Sequence, residues 1–151
     1  MHDVGAAKFD KEKHHITGAE LATGILLRCG CSAVHIGAVA RAIYSHRGSQ
    51  NIPFPSVAAM CVAAADAKDH FDYVGELWRV ADIDWGIIEL QRHQYLLDKL
   101  KRDWAKIHPR IREMLDGSYA MARQTLLQIA NGVIIPVERP MPKPLACTRS
   151  P

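Results

Sequence analysis

The chain is poor in aromatic side chains, which make up 7% of it. It has no uncharged apolar run of the roughly 18–20 residues that a membrane-spanning helix needs. It also lacks the strict apolar–polar alternation of a half-buried strand, which argues against a sheet. The cysteines Cys29, Cys31, Cys61 and Cys147 make no convincing disulfide framework, as expected for reduced thiols in a cytoplasmic protein. The polar opening MHDVGAAKFDKEKHH has no secretory apolar core. A cytoplasmic chain with no membrane partner is therefore expected.

Catalytic motifs are missing too. There is no nucleophile elbow, phosphate-cradling glycine loop or HExxH, and Gly18, Gly24 and Gly37 form no dinucleotide fingerprint. Asp66, Asp69, His70 and Asp72, or Asp82 and Asp84, could shift one another's pKa. Helix capping accounts for Asp72 and Asp82 without any chemistry. The expectation is a non-enzyme with no catalytic residue, no cofactor and no metal. Cys29, Cys31 and His35, with His14 or His15 as a fourth ligand, have part of a zinc pattern. Zinc modules usually add a second paired knuckle, and none follows. Buried cysteines packing as small apolar groups explain the pattern better.

What the chain has is helical periodicity. Residues 82–107, DIDWGIIELQRHQYLLDKLKRDWAKI, read as one long helix capped by Asp82 or Asp84. Ile83, Leu90, Leu97, Leu100, Trp104 and Ile107 share one sector, which wants a partner. The opposite sector holds Ile88, Arg92, Tyr95, Lys99, Arg102 and Lys106, and Arg110 and Arg112 follow His108-Pro109. Residues 88–112 carry seven Lys/Arg against three Asp/Glu, whereas residues 66–89 carry seven acids against Lys68 and Arg79. Cations at one-turn spacing can follow a phosphate backbone, with Tyr95 stacking on a base. The ordinary alternative is a solvated outer face of a bundle helix.

The rest of the chain supplies shorter helices. Thr17 and Glu20 form a capping-box pattern for a helix over 18–28, which Gly30 ends. Ser32 caps 33–45. After the rigid corner Pro53-Phe54-Pro55, Ser56 caps an alanine-rich helix that reads as the most buried one. A short helix from Asp69 or Asp72 runs to Val80. Beyond Pro109 a helix to Leu115, a break at Asp116-Gly117-Ser118, and a helix over 119–130 closed by Asn131-Gly132 are expected. The tail over 133–151 has five prolines and reads as extended chain. Trp78, Trp85 and Trp104 read mainly as core.

Residues 22–41, ATGILLRCGCSAVHIGAVAR, resemble the bacterial repressor-type helix-turn-helix in spacing, with Gly30 at the turn. Leu26 stands where that pattern usually has a small Ala. The reading positions Ser32, Ala33, Val34, Gly37, Ala38 and Arg41 offer few groups for base edges. An ordinary helical hairpin is favoured.

The expected fold is all-α: six or seven helices over 16–132, a flexible N-terminal arm over 1–15, and the proline-rich tail over 133–151. The expected function is that of a small non-catalytic subunit of a nucleoprotein assembly. It would contact protein subunits, including copies of itself, and RNA or DNA backbone through Arg92, Tyr95, Lys99, Arg102, Lys106, Arg110 and Arg112. The alternatives are a helix-turn-helix regulator and a purely protein-binding adaptor or inhibitor.

Overall fold

The structure, a computed structural model, describes residues 3–5, 11–47, 50, 52–83 and 85–132, apart from the side chains of Lys11 and Leu90. The expectations for the proline-rich tail, Cys147, Asp84 and the Leu90 side chain lie outside the described residues. Among those described, the fold is all-α. A 3₁₀ turn (Lys11–Lys13) leads into α1 (His14–Arg28), α2 (Ala33–Ser45), α3 (Val57–Asp72), α4 (Val74–Ile83), α5 (Glu89–Lys106) and α6 (Pro109–Ala130). No described helix is long and apolar enough to cross a membrane.

Local chemistry sets most of these boundaries. The Ser32 hydroxyl accepts from the His35 N–H at 3.4 Å, and the Ser56 hydroxyl accepts from the Ala59 N–H at 3.2 Å. Each satisfies an otherwise orphaned donor in a first turn. Gly30 (φ 71°) ends α1 in a Schellman turn: its N–H donates to Leu27 O and that of Cys31 to Leu26 O. His108 caps α6 by accepting from the Arg110 N–H, with Pro109 at the first helical position.

Several boundaries differ from the sequence reading. The short helix expected from Asp69 or Asp72 to Val80 is α4 over Val74–Ile83; Asp72 ends α3 and Asp82 lies in the last turn of α4, so neither caps a helix start. α1 begins at His14 rather than after Thr17, so Thr17 is not a cap; its hydroxyl donates to Lys13 O from inside the helix. The backbone coils continuously from the preceding 3₁₀ turn. The presumed single helix over 82–107 is two helices, and Ile83 lies exposed at the end of α4. The chain turns at Gly86 (φ 62°), while the Trp85 and Ile87 N–H groups donate back to Val80 and Ala81. An L side chain avoids that left-handed backbone. The break expected at Asp116-Gly117-Ser118 does not occur, and α6 runs unbroken for 22 residues. A mid-helix glycine costs only about 1 kcal/mol against alanine, less than burying Leu115, Ala122, Leu126 and Ile129 on one face returns.

The main core lies among α3, α4, α5 and α6, around Phe71, Leu77, Leu96, Leu100 and Leu126. Trp104 stacks on Tyr119, with centroids 4.5 Å apart and planes 5° apart, and Phe71 leans on both rings. Trp78 and Trp85 pack against the same core. α3 is the hub and meets α2, α4, α5 and α6. Its alanines Ala59, Ala63 and Ala67 are wholly buried, so helices can approach it closely.

α1 and α2 pack mainly on each other. The turn joins them at one end, and at the other His14, first in α1, meets His46, just past α2, at 3.2 Å. They are therefore an antiparallel hairpin, unlike the steep crossing of a DNA-reading helix-turn-helix. The described part of the N-terminal arm is held rather than free. Gly5 is buried so tightly on α1 that a Cβ there would lie 2.4 Å from His14 O and 2.5 Å from Thr17 Oγ1.

Gly86→Ala should destabilise the protein by about 1–2 kcal/mol, because alanine carries a left-handed penalty that glycine does not. Equilibrium urea unfolding measures this. An unchanged midpoint would mean that the α4–α5 turn does not depend on that backbone geometry.

Candidate functional site

The seven residues of the expected phosphate-binding stripe do not form one exposed face. Arg92 is only 7% exposed. Its Nε and Nη2 donate to Ile87 O at 3.2 and 3.0 Å, Nη2 also pairs with Asp82, and the guanidinium lies 5.4 Å from the Trp78 ring centroid. It closes the α4–α5 turn. Arg112 donates to Ala105 O at 2.8 Å and lies over Trp104. Tyr95 is at the surface, with its ring edge-on to Trp85 at 5.8 Å. Arg102 and Arg110 are exposed.

Lys99 and Lys106 turn inward to a polar cluster between α3 and α5. The Lys106 side chain is 5% exposed and pairs with Asp66, and with Asp103 at 3.3 Å. Lys99 reaches Asp103 at 3.1 Å. His70 Nδ1 lies 2.9 Å from the Asp103 carboxylate and 3.3 Å from Lys99 Nζ. An ammonium can only donate, so if Nδ1 carries its proton toward Asp103, the Lys99 contact is not a hydrogen bond. Asp103, on the same helix as these lysines, is their buried counter-charge.

Burial pushes the Asp103 carboxyl upward, but the hydrogen bond from His70 and the charges of Lys99 and Lys106 outweigh it. The result lies well below the usual carboxylate range. Burial likewise lowers Lys106, and the opposing charges of Asp66 and Asp103 raise it above its ordinary value. Both partners are held ionised. Asp66, His70 and Asp103 also converge closely enough to hold a cation, but two ammonium groups already fill that role. The cluster is a structural ion network rather than an acid–base pair. Asp72 pairs with Lys68 on the surface.

The hairpin gathers a second set of ligands. His14 Nε2 and His46 Nε2 are 3.2 Å apart, and Asp3 Oδ1 lies 3.6 and 3.5 Å from them. Beside them, His15 is buried against the Tyr44 ring, and burial, with Arg47, His14 and His46 nearby, lowers its pKa. Sequence reading could not assemble this set, because His14 and His46 are 32 residues apart. Cys29, Cys31 and His35 sit at the opposite, turn end of the hairpin and bring neither His14 nor His15 with them; Cys29 is exposed and Cys31 half-buried, rather than buried as expected, because the turn lies at the surface. The would-be DNA-reading positions carry little: Ser32 is used as a cap, and Arg41 folds back over Gly37.

A groove of about 500 Å³ opens between α6 and the α3–α4 junction, lined by Phe71, Asp72, Val74, Gly75, Gly117, Ser118, Met121 and Thr125. Gly75 and Gly117 both face open space, with no atom within 4 Å of a built Cβ. Met121, in the lining, is 64% exposed, and Tyr73, next in sequence to Asp72 and Val74, and Met114, one turn before Gly117, are exposed too.

Asp103→Asn should cost about 3–5 kcal/mol, because Lys106 stays buried with half its counter-charge gone. Asp103 has a depressed folded pKa, so its contribution is complete above the ordinary carboxylate value near pH 4 and is lost as pH falls through the lower folded value. Lys106, raised, contributes fully below its ordinary value near pH 10.4 and loses that as pH rises further. Urea midpoints measured from pH 7 down to pH 2 should fall more steeply for the parent than for Asp103→Asn. Parallel curves would contradict the network.

Compared with protein-family models, curated proteins and solved structures, the chain matches none of them.

Proposed function

We propose that this chain is a non-catalytic helical subunit that binds a partner protein through the α6 groove. The partner supplies an amphipathic helix with apolar side chains on one face and basic flanks. The observation that carries the reading is the pair of glycines in the groove lining, Gly75 and Gly117, each under open space, with the exposed Met121 in the same lining. Met114, Gly117 and Met121 repeat at helical spacing along one edge of α6, and flexible methionines adapt to a partner's side chains. Glycine in a helix interior sacrifices stability, and close approach of another backbone is a reason to keep it. Asp72 lies in the wall, paired with Lys68, and is the carboxylate that a basic flank on the partner would meet.

This reading is preferred to phosphate tracking because Arg92, Lys99 and Lys106 are committed to internal partners. Tyr95, Arg102 and Arg110 remain for a nucleic-acid backbone, too few for a continuous stripe.

The test is a photo-crosslinking side chain placed at Met121, with a second one at Arg102 for comparison, in extracts of the producing cells. A discrete protein adduct at 121 is expected, and Gly117→Leu should remove it. That substitution should raise folding stability by about 0.5–1 kcal/mol, since a better helix former enters open space. An adduct that survives Gly117→Leu, or nucleic acid crosslinked at 102 with no protein at 121, would overturn the proposal.

A further inference from the structure

We propose that Asp3, His14 and His46 form a zinc site that staples the open end of the α1–α2 hairpin to the N-terminal segment. The site is separate from the α6 groove and does not depend on the protein-binding reading.

The geometry carries it. The three ligand atoms define a triangle with sides of 3.2, 3.5 and 3.6 Å. An ion seated about 0.7 Å off the plane of that triangle would lie about 2.1 Å from each corner, and zinc binds imidazole nitrogen and carboxylate oxygen at about 2.0–2.2 Å. Tetrahedral bonds of that length put neighbouring ligand atoms about 3.3 Å apart, whereas octahedral ones bring them to about 3.0 Å. The observed sides fit the tetrahedral ion better. A hydrogen bond between the imidazoles accounts for the shortest side alone, and the Asp3 carboxylate adds a negative charge within ion-pair reach of both rings.

The tautomer is set for the task. The His46 ring is buried and its Nδ1 lies against Ile43 O. A carbonyl only accepts, so Nδ1 carries a hydrogen, and Nε2 is the ring nitrogen directed toward His14 and Asp3 for a metal. A backbone carbonyl on the far nitrogen is the usual way a ligating histidine is oriented. Two residues after Asp3, Gly5 packs on α1 so closely that any side chain there would collide with its first turns. The nearby cation Arg47 is neutralised by Glu12, with Nη2 2.7 Å from Oε2.

The experiment uses the full chain, without a histidine tag and stripped with a chelator, titrated with Co²⁺ and then Zn²⁺. One equivalent of Co²⁺ should give visible bands of tetrahedral intensity without thiolate charge-transfer absorption, and Zn²⁺ should displace it. One equivalent of Zn²⁺ should raise the Tm by about 5 °C or more. Asp3→Asn and His14→Gln, both at partly solvated side chains, should weaken Zn²⁺ at least about 10-fold, while Cys29→Ser with Cys31→Ser leaves binding unchanged. No cobalt bands and no Tm shift would overturn the site. So would binding that the cysteine substitutions remove and the Asp3 and His14 substitutions do not.

Discussion

The buried carboxylate of Asp103 is the constraint on which the rest of this structure depends. It sits between α3 and α5, takes His70 from one helix and Lys99 and Lys106 from its own, and leaves Lys106 shared with Asp66. Charges this far from water are tolerated only when each has a partner in good geometry. The two helices are thereby fixed in rotation as well as in distance. A slight turn of α5 would strand an ammonium group in the core beside Leu100 and Trp104. The apolar contacts supply most of the adhesion, and the ion network decides which faces meet.

That choice propagates outward. With Lys99 and Lys106 turned in and Arg92 locked over Trp78, the basic residues of α5 serve the fold and the remaining cations are dispersed. Among the described residues, exposed apolar side chains lie along α6, where Met114 and Met121 stand a turn to either side of Gly117 and Met121 lines the groove. At the opposite extreme, the α1–α2 hairpin has little core of its own, and a histidine–aspartate set closes its free end. The protein thus has a rigid centre, an adaptable face and a tethered hairpin.

Much of the fold was legible because it rests on local chemistry. Ser32 and Ser56 announce helix starts, Gly30 and Gly132 announce ends, and His108-Pro109 marks the α5–α6 corner. The misread boundaries share a cause. Periodicity ran across Gly86 because Ile83 and Leu97 happen to keep phase, although a glycine followed by Ile87 is itself a helix-stop pattern. Gly117 looked like a break because the strength of the buried stripe behind it depends on tertiary packing. The inward lysines were not legible from their own helix. Asp66 lies 40 residues from Lys106, so the spacing within α5 showed a basic stripe and concealed its counter-charges. The clue available was the i, i+4 pair Asp66 and His70 on an alanine-rich helix, polar groups on a face otherwise built for burial.

The most direct test of this account is the reactivity of individual lysines in the native protein. Brief acetylation at neutral pH, read site by site by mass spectrometry, compares Lys99 and Lys106 with Lys101 and Lys68, which are exposed on the same two helices. The account predicts rapid labelling of Lys101 and Lys68, and protection of Lys99 and Lys106 until the chain is unfolded. Equal labelling of all four in the folded protein would contradict it, and would return α5 to the role of a solvent-facing basic helix.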